Sequence, residues 1–224
     1  MSFSYSPKIV TDGLVLCLDA ANTKSYVSGS TAWNDLSRGG NNGTLINGPT
    51  FNTGSGGNIV FDGTDDFIDC GNNSNLDLTN NFSLGVWLKR NSIQTSDSAI
   101  VGRITNANGY AGYMLWFTGG GISLYIRSGI RASTGTIVAD TNYYVVGTYN
   151  GSTASVYVNG VLINSNPTSV EAIPTGVNFQ IGKYTFSSPR NFAGNIYNTQ
   201  VYNRALTPSE ILQNYNATKT RYGL

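Results

Sequence analysis

Histidine is missing from this sequence, and charged residues are scarce. The 224 residues contain no His, 13 Lys and Arg, and 12 Asp and Glu, which gives a formal net charge of +1. Without an imidazole the chain can form no Ser-His or Cys-His catalytic pair and no histidine-ligated metal site. A nearly neutral chain also has no electrostatic reason to bind nucleic acid or an anionic membrane, so we expect neither partner.

Cysteine and glutamate are almost as rare. The spacing of Cys17 and Cys70 matches no metal or redox motif, and both lie in apolar segments. We therefore predict two small buried thiols, with a disulfide as the alternative. A glycoside hydrolase needs two carboxyl groups that face each other. Glu171 lies near a proline in a loop and Glu210 in a helix cap, so we expect no enzymatic activity, with aspartate pairs as the alternative.

Long apolar runs are also absent from the sequence. No segment approaches the length of a membrane span, and the first residues lack the basic start and apolar core of a signal peptide. Residues 1–12 contain Pro7 and no sustained period, which predicts an extended N-terminal arm. At the other end, residues 218–224 are predicted to form a mildly basic C-terminal tail.

Alternating apolar residues between Gly and Asn turns indicate β structure. Aromatic residues make up 12% of the chain, and there are 27 glycines, a composition typical of β-sandwiches. Strands are predicted at 13–20, 82–90, 99–104, 113–118, 122–127, 142–149, 155–158, 161–163, 178–184 and 194–202. Asn150-Gly151 and Asn159-Gly160 are predicted as tight turns between strands, because this dipeptide tolerates positive φ. Residues 22–49 are predicted to form a long ordered loop with one short strand. Thr207 to Glu210 form a capping box with proline at the first helical position. The sequence therefore predicts an all-β fold, a two-sheet antiparallel jelly-roll sandwich with one short C-terminal helix.

Three carboxylates lie close together in the segment from Asn58 to Gly71. Apolar runs flank an Asp-Gly turn here, which predicts a hairpin. Asp62, Asp65 and Asp66 offer the oxygen ligands that calcium prefers, so they are candidate ligands of a calcium ion. We favour the alternative that Asp62 forms an Asx-turn, while one of the other two carboxylates holds backbone amides and the other faces water.

Eight segments, taken in order, resemble a known family. They read GLVLCLDA, WNDLS, NNGTLINGPTF, IVFDGTDDFIDCG, FSLGVWLK, VVGTYNGSTASVYVNG, FQIGK and IYNTQVYNRALTPSEILQNYNA. Residues 13–217 are thus similar to the concanavalin A-like lectin/glucanase superfamily, and most similar to laminin-G-like jelly-roll domains of bacteriophage structural proteins. Relatives commonly carry a Trp where this chain has Cys17, and many carry a Trp-His pair where it has Tyr143-Tyr144.

The resemblance implies a function as well as a fold. Together with the absence of His, the low charge and the lack of a signal-peptide pattern, it leads us to expect a non-enzymatic virion structural protein, a capsid decoration or fibre-associated module on the surface of a phage particle, made in the host cytoplasm. Its partners would be capsid or fibre proteins, further copies of itself and cell-surface glycans. The alternative that the resemblance implies is a calcium-assisted carbohydrate-binding lectin module.

Sugar binding requires aromatic side chains for stacking and polar groups for hydrogen bonds. We select Trp116, Tyr125, Arg127 and Tyr184 as ligand-binding residues. Further candidates are Tyr110, Tyr113, Arg131 and Arg190. For each of these aromatic residues the alternative is an ordinary place in the core or on the sheet surface. Trp87 alternates with core residues on its strand, which places it either on the outer face or in a second packed layer.

Overall fold

The computed structural model describes residues 8–94, 97–105, 111–127, 129–170, 173, 175–184 and 190–224. These residues form the strands β1 (Leu14–Asp19), β2 (Ala32–Trp33), β3 (Gly43–Ile46), β4 (Thr50–Asn52), β5 (Asn58–Asp62), β6 (Phe67–Asp69), β7 (Phe82–Arg90), β8 (Ser98–Thr105), β9 (Ala111–Thr118), β10 (Gly121–Ile126), β11 (Gly129–Thr136), β12 (Asn142–Tyr149), β13 (Thr153–Val158), β14 (Val161–Pro167), β15 (Gln180–Ile181) and β16 (Ala193–Tyr202), followed by the helix α1 (Pro208–Thr218).

The strands form two antiparallel sheets of eight strands each. The first sheet has the order β14-β13-β12-β7-β16-β5-β4, with β1 beside β16, and the second has the order β11-β10-β9-β8-β15-β6-β3-β2. Along β7, Phe82, Leu84, Val86 and Leu88 point into the main core between the sheets. The fold is the predicted all-β jelly-roll sandwich with one C-terminal helix.

A second core lies on the outside of the first sheet. Trp87, Tyr144 and Tyr202 point away from the main core and pack beneath α1 together with Ile211 and Tyr222. The helix begins as predicted, because the Thr207 hydroxyl accepts from the Glu210 amide and the Glu210 carboxylate accepts from the Thr207 amide. Of the two positions predicted for Trp87, the structure shows the second packed layer.

The N- and C-terminal segments both pack on this side of the sandwich. The Val10 amide donates to Asn214 Oδ1 at 2.7 Å, and the Tyr202 hydroxyl donates to the Val10 carbonyl at 3.0 Å. The segment predicted as a tail, residues 218–224, forms a short 3-10 turn that buries Tyr222. Residues 1–7 of the predicted arm lie outside the described residues.

The predicted hairpin between Asn58 and Gly71 is wrong. Strand β5 pairs with β4 and β16 in the first sheet, whereas β6 pairs with β3 and β15 in the second. Phe61 and Ile68 therefore reach the same core from opposite sheets. The turn at Gly63, where φ is 80°, carries the chain across the edge of the sandwich from one sheet to the other.

Both cysteines lie inside the sandwich. Cys17 and Cys70 are free and buried, which confirms the predicted thiols. Burial, together with the charges of Asp19 and Asp35, raises the pKa of the Cys17 thiol to about 12.

Among the described residues no helix is long and apolar enough to cross a membrane.

Candidate functional site

The solvent-side face of the second sheet, here called the outer face, gathers most of the selected residues. Alternation along β9 sends Tyr113, Leu115 and Phe117 into the main core. The intervening side chains, Met114 and Trp116, point the other way and form a separate apolar cluster. Strand β9 thus contributes large side chains both to the main core and to the outer face.

Strand pairing aligns one row of residues across the outer face. Direct cross-strand partners place Thr44, Asp69, Gln180, Gly102, Met114 and Tyr125 side by side. A Cβ atom at Gly102 would lie 2.3 Å from the Tyr113 carbonyl oxygen, so only glycine fits there. The row therefore has a gap in its middle, where a small cleft separates Gln180 from Met114.

One side of this face, here called the aromatic end, consists of Trp116, Tyr184 and Arg190. The Trp116 and Tyr184 rings lie 4.9 Å apart, and the Arg190 guanidinium lies 5.7 Å from each ring centre. Trp116 itself is only 5% exposed. Tyr184 and Arg190 are therefore the groups of this end that a ligand would meet first.

The other side, here called the polar end, is organised by Asp69. Its carboxylate accepts from the Gly71 amide at 2.7 Å, from Asn178 Nδ2 at 2.9 Å and from Gln180 Nε2 at 3.3 Å. An open depression of about 600 Å³ lies beside it, lined largely by Asn, Gly and Thr. This end presents amides and a carboxylate where the aromatic end presents rings.

The other sequence-selected residues are distributed as follows. Tyr125 is partly buried against the apolar cluster of the outer face, and Arg127 follows the end of β10 in the left-handed region, with φ of 57°. Arg131 donates from Nε to the Ile126 carbonyl at 3.3 Å. Tyr113 is fully buried, and burial raises the pKa of its hydroxyl. Tyr110 lies outside the described residues.

Sequence reasoning missed Asp69, Asn178 and Gln180 as members of this face. Asn178 and Asp69 are separated by 109 positions in the chain, so no local spacing connects them. The pairing of β15 with β6 brings them together. The sequence indicated only that 178–184 forms a strand, from its alternating pattern, and such a pattern does not identify the strand that lies beside it.

The aspartate cluster lies apart, in the turn that joins the two sheets. Oxygen atoms of Asp62, Asp65 and Asp66 all lie within 4.8 Å of one another. Asp62 Oδ1 accepts from the Thr64 amide at 2.7 Å, and Asp66 Oδ2 accepts from the Asp62 amide at 3.0 Å. Asp65 is exposed. These contacts match the Asx-turn alternative, and they leave other carboxylate oxygens to bind a cation.

The pKa values in this cluster move in opposite directions. The Thr64 amide lowers the pKa of Asp62 by donating to its carboxylate. Burial raises the pKa of Asp66, and the charges of Asp62 and Asp65 raise it further. A divalent cation would relieve that repulsion, and the oxygen donors fit calcium. The calcium site stays a prediction.

Comparison with known proteins agrees with this architecture. A laminin G family model, described as the concanavalin A-like lectin/glucanases superfamily, matches residues 62–212. No curated protein is similar enough in sequence to match.

Several solved structures share the fold at low sequence identity. A Trypanosoma rangeli sialidase in complex with sialic acid is 17% identical with a TM-score of 0.74, and the match covers 99% of this chain but 37% of the sialidase. Domain 4 of a GH43 extracellular arabinanase from Geobacillus stearothermophilus, in complex with arabinotriose, is 18% identical with a TM-score of 0.73, and the match covers 92% of this chain and all of that domain. The binding domain of Paraclostridial Mosquitocidal Protein 1 is 15% identical with a TM-score of 0.73, over 92% of this chain and 52% of that one. This chain thus spans about a third of the length of the sialidase.

Proposed function

Because the chain belongs to the concanavalin A-like lectin/glucanase superfamily, we propose that it is a carbohydrate-binding module. Its ligand would lie on the outer face of the second sheet. The fold relatives support a binding role, since they include an arabinanase domain in complex with arabinotriose and the binding domain of a mosquitocidal protein.

The observation that carries this proposal is the aromatic end. Tyr184 packs against a nearly covered Trp116 with the two rings tilted by 56°, and Arg190 lies beside both rings. Sugar rings present apolar C–H faces edged by hydroxyl groups, so a partly exposed ring beside a guanidinium offers both stacking and hydrogen bonds. Trp116 itself belongs to a central strand, where it pairs with Ala99 on β8 and with Ser123 on β10.

The arrangement of carboxylates supports binding without catalysis. On the outer face the Asp69 carboxylate accepts hydrogen bonds from three neighbouring N–H groups, and the Asp97 carboxylate lies 3.8 Å from the Arg190 guanidinium. Both carboxylates are thus engaged with groups of the protein itself. Glu210 is part of the helix cap, and hydrogen bonds from Arg204 lower its pKa to about 2, which makes it a poor proton donor. Glu171 lies outside the described residues. We propose that the module has no hydrolase activity.

A glycan array tests the proposed function. Arabinotriose and sialic acid, the ligands of two fold relatives, belong on it together with neutral plant and bacterial oligosaccharides. We expect binding that Tyr184→Ala weakens by about threefold to tenfold, the value of a lost aromatic contact. Tyr143→Ala, which removes a partly buried tyrosine of the first sheet, is the matched control. A blank array with folded wild-type protein would refute the proposal.

We further propose that the module is displayed on a virion, as a capsid decoration or a fibre-associated component. The support is the resemblance of residues 13–217 to laminin-G-like domains of bacteriophage structural proteins. Capsid or fibre proteins and other copies of the chain would then be its partners. Mass spectrometry of purified particles should detect the chain in a fixed ratio to the main shell protein. Its absence from particles would leave only the binding role.

Calcium is proposed as an aid to binding, held by Asp62, Asp65 and Asp66. The three carboxylates lie close enough to share one ion. Calcium should raise the melting temperature of the wild-type protein and not that of Asp65→Asn, in which one of the two exposed carboxylates loses its charge. Equal melting curves in calcium and in chelator would remove the site.

A further inference from the structure

The two ends of the outer face are connected in space. The cleft at Gly102 touches Asn178 and Gln180 on the polar side, and Ala99 and Met114 on the aromatic side. Asp69 on β6 and Trp116 on β9 are separated by β15 and β8. Three strand spacings span about 14 Å across the sheet. One sugar unit extends an oligosaccharide by only about a third of that distance, so a single ring cannot touch both ends and about three units are needed.

The Asn178 amide has one fixed orientation. A carboxylate only accepts hydrogen bonds, so the –NH₂ group of Asn178 must face Asp69, as the distances of 3.0 and 2.9 Å show. The carbonyl oxygen of the same amide is then turned away from the carboxylate. Asn178 is exposed, so this oxygen is available to accept a hydrogen bond from a hydroxyl group of a ligand.

Charges around the outer face favour a neutral ligand. A ligand carboxylate at the polar end would meet the Asp69 carboxylate, and like charges in contact are unfavourable. The charge of Arg190 at the other end is offset by Asp97. Lys183, whose Nζ lies 3.7 Å from the centre of the Phe67 ring, adds a positive charge at the cleft. The two cations, Lys183 and Arg190, thus balance the two carboxylates, Asp69 and Asp97.

From these observations we infer that the ligand is an uncharged oligosaccharide of at least three units that spans the outer face, with Asn178 as a binding residue at the polar end. Asp69 is a positioning residue, because it acts through the orientation of the Asn178 amide. The inference rests on the proposed function and adds the class of ligand and a second contact region to it.

Neutral homo-oligosaccharides of one to four units, from arabinan, xylan, glucan and galactan, are the probes, with sialylated glycans on the same array. We expect binding to begin at three units. Asn178→Ala should weaken trisaccharide binding by roughly fivefold to tenfold, the value of one lost hydrogen bond in a partly desolvated site. Asp69→Asn should also weaken it, because an amide at position 69 can both donate and accept and no longer fixes the orientation of Asn178.

Asn164→Ala is the matched control, since Asn164 is an exposed asparagine on β14 of the other sheet. It should leave trisaccharide affinity unchanged. Melting temperatures of all variants separate a lost contact from a lost fold, and an affinity loss with an unchanged melting temperature supports the positioning role. The inference is overturned if single sugars bind as tightly as trisaccharides, if only sialylated glycans bind, or if Asn178→Ala binds like the wild type. Each of those results leaves the proposed function standing, whereas a blank array refutes both.

Discussion

Replacing Trp87 with alanine should show that the C-terminal helix is an integral part of the sandwich. The indole ring is fully buried and lies 5.2 Å from Tyr144, 5.7 Å from Tyr215 and 4.5 Å from Tyr222, measured between ring centres. Its N–H donates to the Thr218 hydroxyl at 2.8 Å. One side chain thus joins β7, β12, α1 and the final 3-10 turn.

The expected cost follows from these contacts. Removing a buried tryptophan from a core destabilises a domain by about 3–5 kcal/mol, because both burial and packing are lost. Trp87→Phe keeps most of the ring and loses the hydrogen bond, which is worth about 1 kcal/mol. Thr218 retains its bond to the Asn214 carbonyl, so we expect the phenylalanine variant to lose about 1–2 kcal/mol in total.

Urea unfolding followed by circular dichroism measures both values. Leu212→Ala, on the same helix but 45% exposed, is the control and should cost less than about 1 kcal/mol. The reasoning fails if Trp87→Ala costs no more than this control, because the helix would then contribute nothing to the stability of the sandwich.

Three further predictions concern stability. Replacing Arg103 with methionine should destabilise the protein by about 3–5 kcal/mol, because its side chain is fully buried and bonded to Asp77 and to two carbonyl groups. Arg190→Met, at an exposed pair, should destabilise it by less than about 1 kcal/mol. Equal losses in urea unfolding would contradict this. The pKa of Glu210 is lowered from 4.5 to about 2, so its stabilisation is complete above pH 4.5 and is lost as the pH falls toward 2. Urea unfolding across this range should show a smaller loss of stability in Glu210→Gln than in the wild type, and an equal loss in the two proteins would contradict this. Cys17 and Cys70 are free, so a reducing agent should leave the melting temperature unchanged; a lower value would indicate a disulfide.

Local chemistry made part of the fold predictable. The Asn159-Gly160 turn was predicted from a dipeptide that tolerates positive φ, and the two residues have φ values of 51° and 83°. The start of the helix could be predicted from the capping box at Thr207, because the hydrogen bonds of that motif join residues only three positions apart. Asn150-Gly151 differs, because only Gly151 has positive φ there.

Non-local pairing explains the errors. An Asp-Gly turn between apolar runs looks the same whether the flanking strands pair with each other or belong to opposite sheets, so the hairpin at 58–71 was wrong. Strand β11, with the sequence GIRASTGT, was missed because it contains few residues that favour strands. The long loop predicted at 22–49 contains β2 and β3 rather than one short strand.

The candidate site shows the same division between local and non-local information. Alternation on β9 was sufficient to predict that Trp116 and Tyr113 lie on different faces, but not which face points to the solvent. The second packed layer covers the first sheet, so the accessible aromatic residues lie on the second. The polar end depends on β15, a strand of two residues whose partners, β6 and β8, are far away in the sequence.

The indole N–H signals of the protein offer the most direct test of the central claim. The chain has three tryptophans, of which Trp33 and Trp87 are fully buried in the two cores and Trp116 lies at the outer face. In a ¹⁵N–¹H titration with the oligosaccharide that binds best on the array, we predict that the Trp116 indole signal shifts and the other two stay in place. A shift confined to Trp33 or Trp87, or shifts of backbone signals only around the 62–66 turn, would contradict binding on the outer face.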